Sequence, residues 1–252
     1  MFSGKFMRNL KFMCAFNGAG YHGFQIQPNA KTIQGELEVA LLRITGEKTI
    51  ITGCSRTDAG VHAREFCFNA FTKSNIPEEN FPAALNAQLP PDIAVFSCRQ
   101  ADEKFSARFS AKSKEYVYLI NNKKQRDVFL QSLAYHYPHK IDLQVMQNAA
   151  KLFIGEHDFA AFCKSEGLET AKTTTREIYA FDVAENNSMI EFTIRGNAFL
   201  YNMVRIMAGT LLYVSEGKLT PADIEAAFET GERDKAGKTL PPCGLYLNRI
   251  FY

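Results

Sequence analysis

The sequence predicts an α+β fold built of two ferredoxin-like modules, and three observations carry that reading. Some short stretches alternate apolar and polar residues with a period of two, while others repeat apolar residues every three to four positions, so strands and helices are both expected. Their order along the first half is β-α-β-β-α-β, the ferredoxin-like split. The second half repeats the order, and 252 residues suffice for two packed modules that each bury a core.

Leu10, Phe12, Cys14 and Phe16 alternate through a first strand that Asn17-Gly18 break. Thr32 can cap a helix whose apolar residues Ile33, Leu37, Ala40, Leu41 and Ile44 share one face, with Gly46 as its stop. A short strand near Ile50, a polar loop from Ser55 to Gly60 and an alternating stretch through Phe66, Phe68 and Ala70 follow. A helix over Asn80–Gln88 and a strand over Ile93–Cys98 complete the first module, residues 1–105.

In the second module, residues 106–252, the first strand is Glu115–Ile120, and Leu143, Met146, Ala150 and Phe153 mark one side of a helix. Strands Ile178–Ala184 and Met189–Arg195 are expected to meet at an Asn186-Asn187 hairpin turn. A helix through Met203, Met207, Leu211 and Val214 and a strand over Tyr246–Phe251 end the chain. The antiparallel sheets of the two modules are expected to join edge to edge around a central cleft. Lys123–Asp127, Lys164–Thr175 and Gly231–Lys238 read as loops.

Composition narrows the function classes. Hydrophobic residues make up 46% and the interspersed charges 22%, which describes a globular chain, and no apolar run is long enough to cross a bilayer. Met1–Asn9 lacks the apolar core of an export signal, so residence in the cytoplasm is expected. Six cysteines without a Cys-x-x-Cys pair read as buried, reduced thiols. His136 and His139 are close, but no third ligand accompanies them, so neither metal nor cofactor is expected. A net charge of +2 permits nucleic-acid binding without demanding it.

The densest chemical signal is the polar loop Gly53-Cys54-Ser55-Arg56-Thr57-Asp58-Ala59-Gly60-Val61-His62-Ala63, with a carboxylate at its tip. By itself Asp58-Ala59-Gly60 reads as a tight turn. The stretch also resembles the signature loop of the tRNA pseudouridine synthase A family, Gly-Arg-Thr-Asp-Ala-Gly-Val-His-Ala, with Ser55 in place of the usual glycine. The resemblance covers almost the whole chain. It continues in Gly23–Asn29, Thr32–Glu38, Ala107–Ala111, Lys114–Tyr116, Gly155–Phe159, Thr175-Arg176, Gly196–Arg205 and Pro241–Leu247. Asn17 and Phe24 stand where the family usually has aspartate and tryptophan, changes that packing tolerates but that bear on RNA contacts.

The resemblance implies the pseudouridine synthase fold and an isomerase, acting without cofactor, that converts uridine to pseudouridine at nucleotides 38, 39 and 40 of the tRNA anticodon stem-loop. It also implies a homodimer. Asp58 would be the nucleophile, by attack at C1′, at C6 or through a glycal. Arg205, near a helix start, would pair with that carboxylate; otherwise it is a surface arginine snorkelling from its helix. Tyr116 would stack on the target uracil, against the plain reading that strand aromatics fill the core, which suits Tyr118.

Arg56 would contact a phosphate or prop open the RNA helix, and Leu247, otherwise strand core, would touch the base. Further phosphate contacts would come from Lys112, Lys114, Lys123, Lys124, Arg126, Lys172 and Arg176. His157 beside Asp158 reads as a structural histidine at a helix end. Two rival functions remain: a non-catalytic RNA-binding or tRNA-chaperone protein on the same fold, and a metal-dependent nuclease, disfavoured because the loop has a single aspartate.

Overall fold

Alternating apolar residues and well-formed caps decide most of the elements of the computed structural model, which describes residues 6–169 and 171–252. Met1–Lys5, within the stretch expected to lack an export signal, and Thr170, within the expected loop Lys164–Thr175, lie outside the described residues. By their internal contacts the residues form two units. One runs to Lys112 and takes in Leu247–Tyr252; the other is Ser113–Tyr246. Among the described residues no helix is long and apolar enough to cross a membrane.

The first unit contains β1 (Arg8–Phe16), α1 (Ile33–Thr45), β2 (Thr52–Gly53), β3 (His62–Thr72), α2 (Phe81–Asn86) and β4 (Ile93–Gln100). Its strands lie in the order β4-β1-β3-β2 with antiparallel neighbours, the arrangement that the β-α-β-β-α-β split demands. Leu10 faces Ala70, Phe12 faces Phe68 and Cys14 faces Phe66, so the alternation in β1 sends one row of side chains into the core. Phe12 stacks on Phe68 at 4.7 Å and meets the edge of Phe81 at 5.6 Å.

Helix α1 begins where the sequence places it. The Thr32 hydroxyl accepts the Gly35 N–H at 3.3 Å, and Gly46 ends the helix at φ 72°. A register shift between Cys14 and Phe16 bends β1 opposite the start of β3, which is the end of the sheet where the Asp58 loop rejoins it. Buried cysteines fill gaps in this core, and burial pushes the Cys67 thiol up to about 11 and the Cys98 thiol to about 12.

The second unit contains β5 (Ser113–Asn121), β6 (Tyr135–His136), α3 (Leu143–Ala150), β7 (Gly155–Asp158), α4 (Ser165–Leu168), β8 (Thr175–Asn186), β9 (Met189–Gly196), α5 (Met203–Ser215) and α6 (Pro221–Thr230). The order across its sheet is β5-β9-β8-β7, antiparallel throughout, and β6 pairs with β5 in parallel. The last strand, β10 (Leu245–Phe251), begins here, and from Leu247 onward it groups with the first unit.

Several local expectations need correction. The β8–β9 turn sits one residue later than expected: Asn186 pairs with Met189, while Asn187 and Ser188 take φ of 50° and 61°, the left-handed pair that a tight hairpin requires. His157 lies in edge strand β7 and not at a helix end; its ring stacks on Phe228 at 4.4 Å. Two regions expected as loops contain short helical turns, α4 in one and a turn at Arg233–Lys235 in the other. Helix α6, absent from the sequence reading, carries a full capping box between Thr220 and Asp223, proline at its first position and Gly231 at its stop.

Helix α6 contributes to an aromatic cluster in which Phe162, fully buried, meets Phe153 at 5.1 Å and Phe228 at 5.0 Å. Phe162→Ala should therefore destabilise the second unit by about 3–5 kcal/mol through lost transfer energy plus a residual cavity. Urea unfolding followed by circular dichroism measures this; a change below about 1 kcal/mol would show that the cluster does not hold the unit.

Candidate active site

The Asp58 loop spans the gap between β2 and β3, and its backbone is closed by local bonds. The Cys54 N–H donates to the Cys67 carbonyl at 2.9 Å. The Val61 N–H donates to the Asp58 carbonyl at 3.1 Å, with Gly60 at φ 77°. Asp58-Ala59-Gly60 is thus a tight turn as well as the carrier of the carboxylate. Asp58 is half-buried, Arg56 is exposed and Thr57 is buried. Ser55 does not have a positive φ, so the backbone there does not need the glycine that the related loops carry.

What holds the loop is the segment Gly18–Phe24, whose ends the resemblance included but to which the sequence reading gave no supporting role. The Gly18 N–H donates to His62 Nδ1 at 3.1 Å in a buried contact, which places that ring's proton on Nε2. A Cβ on Gly18 would lie 1.9 Å from the Val61 carbonyl oxygen. Gly23, at φ 90°, brings its backbone so close that a Cβ would lie 2.6 Å from the Thr57 oxygen. The next residue, Phe24, donates its N–H to that same oxygen at 3.1 Å, and the Gly60 N–H donates to the Tyr21 carbonyl at 3.2 Å.

Phe24 is buried and stacks on Phe66 at 4.3 Å, with the Cα of Gly53 against its ring. Asn17 accepts the Ala19 N–H at 3.1 Å. Both departures from the family pattern are therefore used in packing and turn formation.

In the second unit Arg205 is the third residue of α5 and is half-buried. Its orientation is fixed within its own unit: Nε donates to the Leu240 carbonyl at 2.7 Å and Nη1 to Asn202 Oδ1. The Leu240 N–H donates in turn to the Arg205 carbonyl at 3.2 Å. The segment carrying Leu240 reaches the helix because Gly209 and Gly237 lack side chains. A Cβ on Gly209 would lie 1.9 Å from the Lys238 oxygen.

Asn202 is buried at φ 61°, a left-handed conformation that asparagine tolerates better than most residues. Its side chain orients Arg205, a role that the sequence reading did not give to Asn202. The only signal for it is an asparagine just ahead of the helix, which reads more simply as a cap.

Tyr118, expected in the core, is fully buried and donates its hydroxyl to the Pro241 carbonyl at 2.8 Å; burial pushes its pKa well up. Arg205 and Tyr118 thus hold adjacent carbonyls of one segment. Tyr116 is 6% exposed and meets the Phe199 ring edge-on at 5.0 Å. Leu247, in the first unit with Asp58 and Arg56, is fully buried.

Of the cations considered for phosphate contacts, Lys123 pairs with Asp127 at 3.5 Å. Arg176 donates to the Thr173 and Thr175 carbonyls at 2.9 and 2.6 Å. His157 belongs to the aromatic cluster and not to either set of site residues.

A family model described as tRNA pseudouridine synthase matches residues 13–110 and 149–252. The chain belongs to the tRNA pseudouridine synthase family. A protein of Caldicellulosiruptor bescii named tRNA pseudouridine synthase A is 48% identical over 246 residues, covering 98% of this chain and 100% of that protein. One of the same name from Acetivibrio thermocellus is 44% identical over 246 residues, with the same coverage of both chains. Among solved structures, an archaeal box H/ACA sRNP Nop10–Cbf5 complex covers 81% of this chain and 43% of its own, at 13% identity and a TM-score of 0.37, a likeness too weak to bear on the argument.

The glycine contacts generate a direct expectation for a member of this family. Gly18→Ala would drive a methyl group into the Val61 backbone, and the loop must shift to admit it. Thermal unfolding should show a loss of at least about 1–3 kcal/mol, whereas Gly20→Ala, where the added Cβ meets nothing within 4 Å, should stay within about 0.5 kcal/mol. Equal effects of the two changes would refute the role given to the Gly18 contact.

Proposed function

We propose that this chain isomerises uridine to pseudouridine in tRNA, at nucleotides 38, 39 and 40 of the anticodon stem-loop. It would act in the cytoplasm, as a homodimer and without a cofactor. The observation that supports this most is the Asp58 carboxylate on a loop braced by Gly18–Phe24, in a chain that matches tRNA pseudouridine synthase A proteins from end to end.

The reaction breaks the N1–C1′ bond, turns the uracil and forms a C5–C1′ bond; the proton lost from C5 is balanced by one gained at N1. Asp58 is the nucleophile or base that makes the first break possible, and attack at C1′, attack at C6 and a glycal route all require its ionised form. Ionisation away from bulk water needs an opposite charge, and Arg205 is the guanidinium proposed to supply it. Because Asn202 and Leu240 already orient that group, little side-chain entropy remains to be lost when it meets its partner.

The ring of Tyr116, edge-packed by Phe199, is proposed to stack on the extruded uracil. Leu247, fully buried, would act from beneath the site and not on its surface, and exposed Arg56 would contact a phosphate or prop open the RNA helix.

Asp58→Ala should abolish pseudouridine formation on unmodified tRNA while tRNA affinity stays within roughly tenfold, about 1.4 kcal/mol. Chemical mapping of pseudouridine, with filter binding in parallel, reads both quantities. Activity in that variant would remove Asp58 from the mechanism, and modification at other nucleotides would remove the anticodon assignment. The isomerisation has no redox step and consumes no water, so EDTA-treated enzyme should retain full turnover on a stem-loop substrate in monovalent salt. Activity that falls and returns only with added metal would contradict this.

A further inference from the structure

The loop after β4, Ala101–Lys112, presents an aromatic ring to solvent from a backbone that is fixed on both sides. Phe109 is 81% exposed. Leaving that much apolar surface in water is unfavourable by roughly 25 cal/mol per Å² and contributes nothing to the fold. The neighbouring Arg108 guanidinium lies 5.3 Å from the ring centroid.

The support beneath the ring is a buried relay of two asparagines. Asn9 Nδ2 donates to the Asp102 and Phe105 carbonyls at 2.9 and 2.8 Å. Asn69 Nδ2 donates to Asn9 Oδ1 at 2.9 Å, and the Ala107 N–H donates to Asn69 Oδ1 at 2.8 Å. Both asparagines are almost fully buried. Tyr252 donates its hydroxyl to the Ala107 carbonyl at 2.8 Å, and the Lys112 N–H donates to the Phe251 carbonyl at 2.8 Å. Residues on either side of Arg108-Phe109 are thereby pinned, and the ring is held out on a rigid loop.

A fixed flat ring beside a guanidinium suits a partner that is flat, polarisable and anionic, which describes a nucleobase with its phosphate. Exposed Lys104 and Lys112 extend the positive side of the loop. Its acids, Asp102 and Glu103, sit at its start, where Asp102 accepts the Lys104 N–H at 2.8 Å. Asn69, which anchors the loop, is seven residues along β3 from His62. At about 3.3 Å per residue this puts the anchor on the order of 20 Å from the end of the strand where the Asp58 loop enters.

We propose that Phe109, with Arg108, stacks on an unpaired nucleobase of the RNA substrate at a point remote from the reacting uridine. This contact holds the substrate and takes no part in the chemistry, and it rests on the RNA-modifying function proposed above.

The test compares F109A, F109L and F109W with the parent enzyme on unmodified tRNA, measuring Kd, KM and kcat. F109A and F109L should raise Kd and KM roughly tenfold with kcat at saturating tRNA unchanged, and F109W should bind as the parent does. Unchanged affinity in F109A overturns the proposal, as does F109L binding normally, since a leucine keeps apolar bulk without a π-face. A lower mass for RNA-free F109A in sedimentation would assign the ring to a protein contact instead and overturn it too. None of these outcomes touches the function itself, which falls if the parent enzyme forms no pseudouridine in unmodified tRNA.

Discussion

Two chain segments come closer to functional elements than any side chain would allow, and the candidate site depends on those approaches. In the first unit Gly18 and Gly23 lie against Val61 and Thr57, on either side of Asp58. In the second, Gly209 lies against the segment that brings the Leu240 carbonyl to Arg205. Both residues are thus held by backbone, which has no rotamers to lose and adjusts little. The flexible part of each group is reduced to its last few atoms.

The same logic explains why the hydrogen bonds that hold Arg205 are made to a carbonyl and to an asparagine amide. A carbonyl or amide oxygen orients a guanidinium without neutralising it, whereas a carboxylate in that place would use up its charge. Arg205 meets the Leu240 carbonyl and the Asn202 amide within its own unit. These two contacts orient the guanidinium without themselves neutralising it. The backbone of Asn202 adopts a sparsely populated conformation to supply that oxygen, a strain of the sort that persists where the surroundings over-determine it.

Much of the architecture was legible because its causes are local. Thr32 and Gly46 bound α1 at the residues their cap chemistry names, and period-two alternation located β1, β3, β5, β8 and β9. The turn between β8 and β9 slipped by one residue because Asn186, Asn187 and Ser188 all suit a turn, and only pairing across the strands decides the register. Helix α6 had its signals in Thr220, Pro221, Asp223 and Gly231, but a six-element template left no place for it. Strand β7 is four residues long and half exposed, too short for a period to register. Of the site, the motif named Asp58, while the supports at Gly18, Gly23, His62 and Asn202 act through contacts distant in sequence. No spacing rule reveals these.

A formal net charge of +2 on 252 residues gives no strong long-range field to gather a polyanion. Affinity for RNA must then come from individual groups placed where phosphates and bases arrive, and a placed group is worth more when it is already ordered. Lys123 is tied to Asp127, and Arg176 to neighbouring carbonyls, so these cations give up part of their capacity before a substrate approaches. The Arg108-Phe109 pair differs, because its backbone is fixed from below while its ring and charge point outward. A weakly charged enzyme that must grip a large, highly charged substrate is best served by a few such rigid contacts. The buried asparagines under that loop, costly to leave unpaired and here fully engaged, are what make one possible.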